Sequence, residues 1–257
     1  MKTVHLMAAA AAALLLAGAC THEMTTALTE DEGAAELFEG QEESPCITYS
    51  YSFEYVTGGI PEALKDKING YIVRYYIAYD EASTSTDVPE ACKAWAERTA
   101  ENYISNNEEY LEDEDYDPEN AWMFNWESHI SGRFGTRCDA RNWQTYNGGG
   151  SDYMGGVHPF SYSSNTVFDM KTGETVEEKD FLDIENEDLY DLFFAKVMET
   201  MGDEDNLLDV PTFNGNFSVS NEGVTWLFNQ YEIAPYAWGP IEATLTWDEL
   251  EPYLLKK

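Results

Sequence analysis

The chain has 257 residues, with 14 Lys and Arg against 49 Asp and Glu and a formal charge of −35 at neutral pH. Such a surface repels nucleic acid and anionic lipid headgroups and favours cationic partners through steered association that salt weakens; the same acidity also serves plain solubility. Hydrophobic residues make up 43% and aromatics 14%, enough for one α+β domain or two intimately packed halves after an N-terminal leader.

Lys2 and the apolar run Leu6–Ala19 read as a secretory signal over residues 1–19, too short for a spanning helix. Ala17, Gly18 and Ala19 before Cys20 resemble a bacterial lipobox, which makes Cys20 the candidate lipidation site; an ordinary signal cut before Cys20 is the alternative. The expected location is the cell envelope (outer membrane, periplasmic side or surface), with membrane contact only through a lipid anchor. Residues 20–45 carry many acids, no Lys or Arg and one aromatic, Phe38, so this stretch is expected to be a disordered acidic tether.

The folded part begins with alternation. Ile47, Tyr49, Tyr51, Phe53 and Tyr55 point one way and Thr48, Ser50, Ser52 and Glu54 the other, a half-buried strand. Pro61 opens a helix with Leu64, Ile68, Ile72, Tyr75 and Tyr79 at helical spacing. A second helix starts near Asp87, with Glu90 three residues on and Ala91, Ala94, Trp95 and Tyr103 on its apolar face. After the acid-dense stretch Glu108–Glu119, two strands span Ala121–Asn147, anchored by Trp122, Phe124, Trp126, Ile130, Phe134, Trp143 and Tyr146, and Gly148–Gly150 loosens the chain. Val157–Asp169 is a further strand closed by the turn Met170–Gly173. The stripe Leu189, Phe193, Val197 and Met201 marks a helix over Glu187–Met201. Asn221-Glu222-Gly223 joins a hairpin, and Thr246 with Glu249 caps a short last helix. The expected fold is α+β, an antiparallel sheet packed against a few helices, with an N-terminal half at 46–150 and a C-terminal half at 151–257.

Few motifs carry chemistry. Cys46, Cys92 and Cys138 allow at most one bridge among three pairings, which the spacing leaves open. No CxxC or Cys/His cluster suggests zinc. Asp113, Asp115 and Asp117 alternate as in a calcium loop, but Pro118 stands where that loop needs Gly, and Phe124 stands where the closing Glu belongs. Nothing resembles a nucleophile elbow, a P-loop or a dinucleotide fingerprint. No catalytic residue, metal or cofactor is therefore assigned. Forty-nine acids still leave room for the carboxylate pair of a glycan-acting enzyme, the alternative reading.

The stretch Tyr231–Leu250 is the most informative. Its loop holds Pro235, Pro240, Gly239 and the aromatics Tyr231, Tyr236 and Trp238, few conformations for much apolar surface. Either the rings plug the end of the core or they recognise a partner. Asp152-Tyr153-Met154-Gly155-Gly156-Val157-His158, then Phe168-Asp169-Met170-Lys171-Thr172-Gly173, Lys179-Asp180-Phe181-Leu182 and Phe228–Ala237 with Gly239-Pro240-Ile241 resemble the motifs of one family. It is the extracytoplasmic domain of lysozyme-sensing anti-sigma factors, also found in front of peptidoglycan deacetylase domains. The resemblance runs over roughly Ile47–Leu250 and is denser in the second half.

The resemblance implies a non-catalytic envelope domain, here expected as a stand-alone monomeric lipoprotein. No sigma-binding segment, transmembrane helix or deacetylase His-x-x-x-His motif accompanies it. The implied partner is a cationic protein such as lysozyme, or an envelope glycan. The candidate contacts are Tyr231, Pro235, Tyr236 and Trp238, with His158 and Tyr153 from the glycine-rich loop. For His158 the alternative is a purely structural role in satisfying backbone groups.

Overall fold

The computed structural model describes residues 23–38, 44–111 and 122–256. The signal, Cys20 and the acidic stretch at Asp113–Asp117 lie outside the described residues. Among these, eight strands and four α-helices form a mixed α+β fold. They run β1 (Thr25–Glu36), β2 (Cys46–Gly58), α1 (Glu62–Ile72), α2 (Val88–Leu111), β3 (Trp126–Cys138), β4 (Trp143–Tyr153), β5 (Phe160–Asp169), α3 (Glu187–Met201), β6 (Phe217–Val219), β7 (Gly223–Phe228), β8 (Ile241–Thr246) and α4 (Trp247–Leu250). One sheet has the order β1-β2-β3-β4-β5, the other β6-β7-β8. No helix among the described residues is long and apolar enough to cross a membrane.

The chain divides into two compact units, but not at residue 150. The first holds the chain up to Gly132 plus Gly149–Ser161, and the second holds Arg133–Gly148 plus Tyr162 onward. Strands β3, β4 and β5 each pass from one unit into the other. The triple glycine Gly148–Gly150 is therefore no break. It lies inside β4, where extended backbone is held by the neighbouring strands.

The first unit overturns the expectation of a disordered tether. Thr25–Glu36 is strand β1, paired antiparallel with β2 from Glu36↔Cys46 to Thr26↔Val56. Its acids sit on an edge strand, where charge is tolerated and discourages edge-to-edge association. Ala35 and the following Leu37 are buried, while Ala34 is exposed. Gly33 lies opposite Tyr49, and a side chain there would meet the Tyr49 ring at 2.6 Å, so the missing Cβ lets that ring lie across the strand. Composition flagged the acids; it did not register the backbone pairing available to them.

β2 alternates as expected, burying Ile47, Tyr49, Tyr51 and Phe53. The Trp95 ring of α2 meets Tyr49 and Tyr51 edge-on, each at 6.4 Å between centroids. β2 and β3 pair in parallel, Ile47↔Trp126 to Phe53↔Gly132, with both helices in the crossover, so the sheet is not purely antiparallel. Asn69 of α1 is buried and grips strand β2: the Val56 amide donates to its Oδ1 (3.0 Å), and its Nδ2 donates to the Val56 carbonyl (2.9 Å).

The helix after Pro61 departs from regular spacing. α1 continues into a π-helical turn, Val73–Ala78, ending at Tyr79 with φ of 49°. The wider turn shifts the buried face by one position. Tyr76 and Ile77 are buried, while Tyr75 and Tyr79, expected on the apolar stripe, are exposed. α2 follows the expected start, with Asp87 Oδ1 accepting the Glu90 amide at 3.0 Å. Trp122, read as a strand anchor, is instead exposed in the short turn before β3.

The second unit is built around α3, whose stripe of Leu189, Phe193, Val197 and Met201 is fully buried as its spacing predicts. Asn186 caps the helix by accepting the amides of Asp188 and Leu189. Phe193 meets Trp226 edge-on at 5.4 Å, and Phe213 packs against both, 4.5 Å from Phe193 and 5.6 Å from Trp226. The hairpin forms at Asn221–Gly223, with Val219 opposite Val224, and Thr246 and Glu249 make the capping box of α4. Cys46, Cys92 and Cys138 are all free thiols, so none of the three pairings forms. Burial pushes the Cys92 thiol up to about 12 and leaves it inert.

Candidate recognition loops

The loop Asn229–Pro240 belongs to the second unit and follows β7. Its backbone is fixed from inside. Ile233 and Ala234 are buried, and the Ile233 carbonyl accepts the Leu208 amide at 2.9 Å. Glu232 turns back: Oε2 accepts the Asn229 amide (2.8 Å) and Oε1 accepts Asn214 Nδ2 (2.7 Å). Asn229 in turn docks on β5, accepting the Ser163 amide at 2.7 Å and donating Nδ2 to the Ser163 carbonyl at 3.0 Å. Asn216 adds a second clamp through the Asn165 amide and the Ser163 carbonyl. Side-chain amides thus replace the backbone ladder where β6 and β7 stop.

On this base the aromatics point outward. Tyr231 is 53% exposed and Trp238 42%, while Pro235 and Tyr236 are half-buried. The rings of Tyr231 and Tyr236 lie 5.7 Å apart at 37°. Tyr236–Trp238 forms a single 3-10 turn after Pro235, closed by Gly239 at φ 69° and ψ −166°, a conformation essentially confined to glycine. Tyr231 is held at φ 67°, the left-handed region, where a bulky side chain is uncommon. Four of the six expected contact residues therefore share one short, braced loop.

Tyr153, the last residue of β4, and His158, on the turn between β4 and β5, lie in the first unit. The Tyr153 hydroxyl donates to the Gly156 carbonyl at 3.0 Å, and His158 Nδ1 lies 3.0 Å from the Pro159 carbonyl. Both side chains therefore engage the backbone of their own loop. Gly155 has φ of 71°, and a Cβ there would meet the Met123 carbonyl oxygen at 2.2 Å, so the loop lies against the turn at Trp122–Phe124. Around it Trp122, Met154, Val157 and Phe160 are exposed, Val157 completely. These apolar residues were not singled out as contacts. For Met154, Val157 and Phe160 the signal was apolar side chains set among Gly155, Gly156 and Pro159; Trp122 comes from a separate turn.

Sequence reasoning also missed the residues that brace the Tyr231 loop: Asn214, Asn216, Asn229 and Glu232. Glu178 plays a similar part deeper in that unit, buried, with Oε1 accepting the Gly215 amide (2.8 Å) and Trp226 Nε1 (3.3 Å).

Residues 178–248, less than a third of the chain, match a family profile described as a protein of unknown function, DUF3298. That span contains the Lys179–Leu182 and Tyr231–Pro240 motifs and excludes the Tyr153–His158 loop. No curated protein matches. Among solved structures, a DUF3298 family member from Bacteroides fragilis superposes with a TM-score of 0.78 at 21% identity, over 91% of this chain and 94% of that one. A DUF3298 family protein from Pseudomonas aeruginosa gives 0.63 at 14% identity, over 91% and 95%. These likenesses show a shared fold.

Proposed function

We propose that this chain is a non-catalytic binding module of the cell envelope that recognises a cationic protein, lysozyme or another wall-degrading enzyme, through the Tyr231–Pro240 loop. The observation that carries this reading is Tyr231. Left-handed backbone costs an L-residue about 1–2 kcal/mol, and glycine would adopt it freely. The ring kept there is more than half exposed, so core packing offsets little of that cost, and strain maintained on an exposed aromatic suits a presented contact. Rigid aromatics lose little entropy on burial against a partner, and the charge of −35 supplies long-range attraction for a basic one. The apolar turn around Val157 is a further contact surface of the same kind.

Immobilised chain exposed to hen lysozyme should bind at low ionic strength and release as salt rises. Trp238→Ala should weaken binding at least tenfold, as removal of a central aromatic does. Absence of binding at low salt overturns the lysozyme reading. Export and anchoring through Cys20 belong to the proposal; metabolic labelling with a fatty acid should mark the native chain and not Cys20→Ala.

A further inference from the structure

A second site lies in the first unit, in a groove of about 180 Å³ between α2 and β3. One wall is the face of α2 carrying Thr99, Asn102 and Asn106. Asn102 and Asn106 stand one helical turn apart and are exposed, and their side-chain amides make no hydrogen bond among the described residues. Glu127 also lines the groove, as does Asp152, whose Oδ1 accepts the Ser128 hydroxyl at 2.5 Å. The half-buried Trp126 ring is part of the same lining, held edge-on to Tyr103 at 5.3 Å and by its Nε1 donating to the Met123 carbonyl at 3.3 Å. The Tyr103 hydroxyl donates to the Phe124 carbonyl at 2.8 Å and fixes the same corner.

Among the described residues these two amides have no hydrogen-bond partner, and they share the groove with the carboxylates of Glu127 and Asp152. Each amide both donates and accepts, whereas a carboxylate only accepts. Such a wall suits a neutral ligand rich in hydroxyl and amide groups. A fixed aromatic ring offers a flat apolar surface for the C–H face of a sugar, and the Asp152 carboxylate accepts hydrogen bonds from its hydroxyls. The volume is below the roughly 300–1,000 Å³ of pockets for drug-sized ligands, which limits it to one ring. We propose that this groove binds one residue of a neutral saccharide bearing hydroxyl and acetamido groups, independently of the cationic partner proposed for the Tyr231 loop.

The test uses the folded chain with N-acetylglucosamine and its β-1,4-linked trimer as probes. Calorimetric titration should show weak, saturable binding, and nuclear magnetic resonance should shift the side-chain amide signals of Asn102 and Asn106. The double substitution Asn102→Ala/Asn106→Ala, on an exposed helix face, should lower affinity about tenfold while thermal unfolding stays unchanged. Trp238→Ala should leave saccharide binding intact, which separates this site from the aromatic loop. No saturable binding, or binding that the double variant leaves untouched, overturns the proposal.

Discussion

The two motif-bearing loops are built on different physics. Asn229–Pro240 is braced by charged and amide side chains that reach its backbone from inside: Glu232 holds Asn229 and Asn214, and Asn229 holds Ser163. Asp152–Phe160 is shaped mainly by its own turn, with Tyr153 and His158 bonded to carbonyls within it and Gly155 set against the Met123 carbonyl. In the first, rigidity comes from a network and the aromatics are left to face outward. In the second, rigidity rests on a glycine and the exposed residues are simple apolar side chains. Stability and recognition are therefore entangled in the bracing residues and separable in the exposed ones.

The largest effect should come from breaking the network. Glu232→Ala strands the Asn229 amide and removes one partner of Asn214, whose Nδ2 keeps the Leu227 carbonyl, and should cost about 2–3 kcal/mol in chemical denaturation and weaken partner binding with it. If stability is unchanged, the network is not what fixes the loop. Gly155→Ala tests the other loop. Positive φ alone should cost about 1–2 kcal/mol and the clash with the Met123 carbonyl adds to it, with faster amide exchange confined to Met154–Phe160. Tyr231→Gly should sharpen the contrast, because relief of backbone strain offsets the lost ring contact, and stability should stay within about 1 kcal/mol of the parent. The smallest effect belongs to Val157→Ser, a fully exposed position where the melting free energy should move by less than about 0.5 kcal/mol.

Much of this was legible in sequence where one period governs a whole element. The four-residue stripe of α3, the alternation of β2, the Asn221–Gly223 hairpin and the Thr246–Glu249 cap all follow from local rules. The failures share a cause in pairing or register that only the fold supplies. β1 looked disordered because its acids hide an edge strand whose backbone bonds all go to β2. The π-helical turn moved Tyr75 and Tyr79 outward by inserting one residue into the repeat. The parallel join of β2 to β3 needs a crossover that no short window reveals. At the candidate site, proline and glycine announced a rigid aromatic loop, but Asn214 and Glu232 were invisible because they are linked across eighteen residues.

The central claim, that Tyr231 is held in a strained conformation to be presented to a basic partner, is tested most directly by measuring lysozyme affinity and thermal stability together for the parent and Tyr231→Gly. Affinity at low salt should fall at least tenfold, with stability preserved or slightly raised. Unchanged affinity together with a marked loss of stability would contradict it and make Tyr231 a packing residue.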